Sequence, residues 1–387
     1  EYELFKIKIL NWFFLVKIEC ISIAINLYIY FVMSFKDIFN EDYLFTNKAH
    51  ARVNLIGEHT DYTGGYVMPC LLNFNTTIQI SKNSSKTYQV FSKNFNEKKE
   101  FNDFIKSKKN DWIDYVKGCL FIFYDENKHI PNKHLNIFIT STIPMGRGIS
   151  SSSALCVAIL KVLNNFFGTQ YSDKHIAILA QKVERNYIGV SGGIMDQMVS
   201  SIGINNKAFY LDCLSLKYEL LDLPHDWVFC LVDSAVQRNL RDSAYNERYN
   251  QLKKAEEYLN VEYLGCVKPS QFDKSKIIDQ LILKRARHVI TENDRVLKAK
   301  EAILNRDIKL FGNLMSSSHK SYAEDFEAST KDVDEIVERS LSSGAEGARL
   351  TGGGFGGFTV SLIHSDNYQE WKKNMNNFYD SKNIFEV

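Results

Sequence analysis

Residues 142–168, TIPMGRGISSSSALCVAILKVLNNFFG, join a strand to a helix through Gly146, Gly148 and a serine run from Ser150 to Ser153. In chemical terms this is a phosphate cradle. Glycines let backbone amides approach an oxyanion, the first N–H groups of a helix are unpaired, and the helix dipole places partial positive charge at that end. Serine hydroxyls add donors or a metal ligand. A lone GxG or a single serine would more simply be an N-cap on a core helix, but four serines after two glycines are harder to reduce to that. No GxxxxGK[ST] occurs, so the loop is not a Walker A loop. A further cluster, GARLTGGGFGGFTVSLI at 347–363, taken alone is a turn or bulge before a strand. Together the two clusters point to a nucleotide site made from both lobes of the chain.

Three further stretches concentrate charge. The helix pattern SDKHIAILAQKVERNYIG starts at Ser172 as cap and sets Ile176, Leu179, Ala180, Val183 and Tyr187 on one face, with Glu184 along its flank. Such a carboxylate either awaits a cation or sits at the rim beside Lys182 or Arg185, two readings of equal weight. In GVSGGIMDQMVSSIG, Asp196 begins a helix inside an apolar run of Ile194, Met195, Met198 and Ile202. A carboxylate buried there needs an arginine or a substrate hydroxyl, and Arg52 is the candidate. Arg52 opens RVNLIGEHTDYTGGYV, which crowds Glu58, His59, Thr60, Asp61 and Tyr62 against a strand that ought to be buried. His59 alone would be a locally satisfied turn histidine.

These side chains need a scaffold. Alternation in ARVNLIG, TTIQISK and TYQVFSKNF predicts strands of an open sheet, DWIDYVKGCLFIFYDENK a helix and LNIFITSTI another strand, the order of an α+β lobe. Two long helices and a short third follow before KAFYLDC. WVFCLVDSAV and AYNERYNQLKKAEEYL then open a second lobe, so the domains are drawn as 33–215 and 216–387. Residues 1–32 are treated as an extension outside the fold, with the structured chain starting at Met33. Their uncharged stretch from Cys20 to Phe35 is shorter than the ~20 residues a bilayer helix needs. A net charge of +1 gives no footprint for nucleic acid or an anionic membrane, so the expected partners are small molecules. Seven cysteines without a CxxC, mostly in apolar stretches, suit a reducing cytoplasm.

RVNLIGEHTDYTGG, GRGISSSSA, GGIMDQ and LTGGGFGG resemble, in order and spacing, the motifs of the GHMP kinases and, within them, the galactokinases. GEHTDY is the specific element, and KRARHVITENDRVLKA (284–299) and SHKSYAEDFEAS (318–329) are also similar. The resemblance implies two α+β lobes with the active site between them, and ATP-dependent phosphorylation of D-galactose at its C1 hydroxyl with Mg²⁺. It implies Asp196 as the base that accepts the hydroxyl proton and Arg52 as the cation that orients it. Glu58, His59, Thr60, Asp61, Gly193 and Tyr245 then form the sugar pocket, which explains the polar crowd as a reader of hydroxyls. Gly146, Arg147, Gly148, Ile149, Ser150, Ser151 and Ser152 become the ATP phosphate loop, Ser92 a nucleotide contact, and Ser152 and Glu184 the magnesium ligands. A monomer is expected.

The chain departs from the pattern at His50 and Ala51, in place of Pro-Gly before the Arg-Val-Asn, which shifts the strand entry. Arg147 occupies a variable loop position where it adds phosphate affinity, and the chain ends at SKNIFEV, where a closing strand is expected to be missing. Two other functions stay open: a kinase for another sugar, such as N-acetylgalactosamine or arabinose, and a non-catalytic sensor of galactose and ATP. The intact serines, Asp196, Arg52 and Glu184 favour catalysis.

Overall fold

The computed structural model describes residues 33–107, 111–144, 146–235 and 241–387, and the extension read at 1–32 lies outside them. Helix α1 (Phe35–Phe39) starts from Ser34, which forms a capping box with Asp37. Strand β1 (Phe45–Asn54) is exposed at its start and buried over its last four residues. It runs antiparallel to the long strand β3 (Pro69–Lys82), but the register jumps between His50 and Arg52, at the place where His50 and Ala51 were expected to shift the strand. Such a break re-aims the side chains beyond it, and Arg52 is the first of these.

Strands β2 (Tyr66–Val67), β4 (Tyr88–Ser92), β5 (Glu97–Phe101), β6 (Leu135–Ser141), β7 (Lys207–Asp212) and β8 (Lys217–Asp222) complete an eight-stranded sheet in the order β2-β7-β3-β6-β4-β5, with β1 on β3 and β8 on β7. Only β4 and β6 among its pairs run parallel. A parallel pair needs a long crossover, which helix α2 (Ile113–Glu126) supplies. Helices α3 (Ser151–Phe167), α4 (Asp173–Lys182) and α5 (Met195–Ile202) follow, and Val183–Ile188 extends α4 as a π-helix.

Strand β9 (Trp227–Asp233), helices α6 (Arg241–Leu259), α7 (Gln280–Leu304), α8 (Ile308–Glu324) and α9 (Lys331–Ser342), strands β10 (Gly347–Leu350) and β11 (Phe358–His364), helix α10 (Tyr368–Met375) and strand β12 (Ile384–Glu386) build the rest. The second sheet is antiparallel in the order β10-β11-β9-β12. The final residues therefore supply an edge strand where a missing one was expected, because Ile384 packs inward as Phe385 pairs with Leu231. Sheet membership passes from the first sheet to the second between Asp222 and Trp227, a few residues beyond 215. The largest apolar core ignores that division, joining Ile78, Phe123 and Leu160 to Trp227, Phe229 and Phe358. No helix among the described residues is long and apolar enough to cross a membrane.

Candidate active site

Arg52, just past the break in β1, meets Asp196 in the first turn of α5 across a sequence gap of 144 residues. Its Nε lies 2.7 Å from Oδ1 and its Nη2 2.7 Å from Oδ2, a two-pronged fork that fixes the plane of the carboxylate. Arg52 is buried while a quarter of the Asp196 side chain reaches the cleft. Burial works to lower the Arg52 pKa, but Asp196 more than offsets this and raises it, so the guanidinium is permanently charged.

The remaining prong, Nη1, donates to Gly148 O at 3.1 Å, tying this pair to the glycine–serine loop. There Ser150 has left-handed backbone (φ 63°) and turns its hydroxyl onto Asp196 Oδ2. It does not cap α3. The opening N–H groups of α3 therefore lack a side-chain acceptor, which a plain serine cap would have provided, and they suit an anionic phosphate. Ile149 is buried and its carbonyl accepts from Arg52 N at 3.4 Å. Arg147 pairs with Asp233 at the end of β9, 3.2 Å away, instead of standing free for phosphate.

Glu184 settles one of the open alternatives. It is buried, accepting from Ser153 Oγ at 2.8 Å, from Gln197 Nε2 and from Ser152. Lys182 reaches Glu126 instead, so the rim reading fails. Glu184 follows buried Ala180 by four residues on the inner side of the helix and opens the π turn, with Gly189 N bonded to its carbonyl five residues back. Burial raises its pKa, with the hydroxyl and amide donors opposing. A buried carboxylate beside two serine hydroxyls fits a small hard cation that takes few protein oxygens.

The polar crowd lies in the turn after β1. Glu58 Oε1 accepts from Arg349 Nη1 (3.1 Å), Thr351 Oγ1 (3.3 Å) and Gly352 N (2.9 Å). His59 engages Tyr62 OH through Nδ1 (2.7 Å) and Tyr322 OH through Nε2 (2.8 Å), and its ring lies 4.4 Å from that of Phe326. Asp61 packs against Gly193, where a Cβ would collide with its carboxylate. Burial, then the nearby Asp196 and Glu58 charges, push the Asp61 pKa up to about 7. Tyr245, on α6, sets its ring 5.3 Å from that of His59.

A cleft of about 410 Å³ brings together Arg52, Asp196, Glu58, His59, Asp61, Gly193 and Tyr245 with Ser152 and Glu184. Of the phosphate-loop residues expected there, Ser152 lines the cleft while Gly146, Arg147, Gly148, Ile149, Ser150 and Ser151 fall outside its walls, as do Thr60 and Ser92. Thr60 is fully buried with Oγ1 2.9 Å from Gly57 O and 2.6 Å from Tyr66 O, bracing the turn from behind. Ser92 is buried at the end of β4, its hydroxyl 3.5 Å from Phe95 N in the following turn.

The GHMP kinases N terminal domain matches residues 114–203, the galactokinase galactose-binding signature residues 33–82, and the GHMP kinases C terminal model residues 299–381. A galactokinase of Fusobacterium nucleatum is 38% identical over 349 residues, covering 87% of this chain and 90% of its own. The chain belongs to the galactokinase family. A galactokinase of Lacticaseibacillus paracasei is 35% identical, covering 86% of this chain and 89% of its own. The crystal structure of Lactococcus lactis galactokinase complexed with galactose superposes with a TM-score of 0.85 at 31% identity, covering 91% of this chain and 95% of that one. A mevalonate kinase at 19% identity and TM-score 0.65 shares the fold. This galactokinase-family cleft also uses residues that sequence reasoning passed over. Gln197 and Ser153 hold Glu184, and fully buried Arg349 holds Glu58. Gln197 directly follows Asp196 and Ser153 ends the serine run, so adjacency alone could have flagged them. Arg349 lies 291 residues from its partner and gave no such signal.

Proposed function

We propose that the cleft transfers the γ-phosphoryl group of ATP directly to the C1 hydroxyl of D-galactose, giving galactose 1-phosphate and ADP. The observation that carries this reading is the Arg52–Asp196 fork, opening on one side to the turn of Glu58, His59 and Asp61 and on the other to the uncapped start of α3. The sugar lies against Asp61, Glu58 and Tyr245 with its anomeric hydroxyl at Asp196. That carboxylate takes the hydroxyl proton as the oxygen attacks phosphorus, and the bond from the γ-phosphorus to the bridging oxygen breaks in line. Arg52 orients Asp196 and adds positive charge beside the phosphoryl oxygens. The ATP phosphates rest on the N–H groups of α3 and on the Gly146–Gly148 loop. Ser152 and Glu184 are the residues that would hold Mg²⁺, whose chemistry is to neutralise the β- and γ-phosphate oxygens. Free cysteines, most of them buried, support a cytoplasmic setting. Coupled ADP release, measured on protein starting at Met33 against a panel of free sugars, should respond to galactose first. A flat response to every sugar, with ATP still bound, would favour the sensor instead.

A further inference from the structure

The backbone of Gly352 is held on both sides, by Glu58 of the turn after β1 and by Tyr322 of α8. Its N–H donates to Glu58 Oε1 at 2.9 Å, and its carbonyl accepts from Tyr322 OH at 2.9 Å. The Tyr322 hydroxyl has a single proton, which goes to Gly352, so toward His59 it accepts, and the 2.8 Å contact with Nε2 places the imidazole proton on that nitrogen. Nδ1 is then an acceptor for Tyr62 OH at 2.7 Å. The direction of the chain is therefore Tyr62 to His59 to Tyr322 to Gly352. Gly352 in turn rests on the phosphate loop. Its backbone is left-handed (φ +83°), and a Cβ there would lie 2.9 Å from Gly148 O, the atom that accepts from Arg52 Nη1. Gly352 also lines the cleft.

We propose that Tyr322 is a positioning residue that couples the sugar-reading turn to the nucleotide loop through the Gly352 peptide. It touches neither reacting atom. A sugar that orders the turn at Glu58 and His59 sets Gly352 and, behind it, Gly148 and Arg52. A nucleotide that orders the glycine loops sets the turn in return, because binding couplings are reciprocal. This inference rests on the proposed galactose and ATP sites.

Calorimetry on the full chain tests it, with galactose titrated in the presence and absence of a nonhydrolysable ATP analogue with Mg²⁺, and the analogue titrated with and without galactose. In the native protein each ligand should tighten the other by about five-fold or more. Tyr322→Phe keeps the ring, stacked 5.4 Å from His288 and tilted 5.7 Å from Phe326, and removes only the hydroxyl. It should bring the coupling to about one while the affinity for each ligand alone changes by less than about two-fold. His59→Asn, a residue tolerant of the left-handed φ of 63°, cuts the same link from its other end and provides the reading if Tyr322→Phe does not fold. Combining the two should weaken coupling no further than either alone. Equal coupling in native and variant protein, or none in the native protein, overturns the proposal alone. Failure of the native protein to bind galactose overturns it together with the function on which it rests.

Discussion

Asp196 holds both oxygens against Arg52 and one also against Ser150, yet a quarter of its side chain remains open to the cleft. Asp196→Asn keeps the shape and removes the proposed base. Galactose-dependent ADP release should fall by about 10² to 10⁴-fold, while ATP affinity measured by calorimetry stays close to native, and normal turnover would end the assignment. Asp61 makes a prediction about pH. With its pKa near 7, it is largely protonated at pH 6, whereas a sugar hydroxyl donates best to the anion. Galactose binding should therefore release protons below neutrality, and affinity should rise about ten-fold between pH 6 and pH 8 before levelling. Titrations in two buffers of different ionisation heat measure this, and proton uptake would reverse the argument. Asp61→Asn should abolish the dependence.

Elements decide how closely such side chains approach. The segment before α5 passes Asp61 with no room for a Cβ at Gly193. Gly193→Ala should raise the KM for galactose several-fold or more by displacing Asp61, while the KM for ATP moves little, and an unchanged galactose KM would show the contact to be dispensable. Much of this scaffold was legible in sequence. Alternation revealed β1, β3 and β4, apolar runs revealed β6 and β9, the periodicity revealed α2 to α4, and RVNLIGEHTDY with GGIMDQ marked both members of the Arg52–Asp196 pair. What escaped has physical reasons. The π turn over Val183–Ile188 keeps an ordinary helical pattern in its residues, so nothing in the sequence announced it. Strand β8, KYELLD, is mostly exposed and lacks the apolar alternation that announces a half-buried strand. Thr60 looks like a ligand group in sequence, but its hydroxyl is taken up by Gly57 O and Tyr66 O within the turn, whereas His59 does line the cleft and is held there by Tyr322, 263 residues away, a partner no local pattern announces. Arg147 looked like a phosphate ligand for the same reason, since Asp233 lies 86 residues away.

At the scale of the molecule, buried ionisable groups set the response to acid. His288 is fully buried, and its pKa is driven down to about 3, chiefly by burial, with Glu292 opposing and Arg295 and Arg349 reinforcing. Below pH 6.5 the unfolded chain binds a proton at this histidine that the native state refuses, so stability falls as pH drops from about 6.5 towards 3 and is unaffected above that window. The slope from this one group is about 1.4 kcal/mol per pH unit. His288→Phe should flatten the acid side of the stability curve by that amount, whatever it does to stability at pH 8. An unchanged slope in urea titrations at several pH values would show that other groups govern the acid limit.

The continuity of the principal core through both sheets, from Ile78 and Phe123 to Trp227 and Phe358, bears on how the molecule comes apart. Two halves sharing one interior cannot melt in turn, since losing either exposes the other. Calorimetric heating should give one endotherm whose van't Hoff and calorimetric enthalpies agree. Galactose, though proposed to sit mainly against the turn after β1, should protect α6 to α9 from urea as fully as it protects that strand.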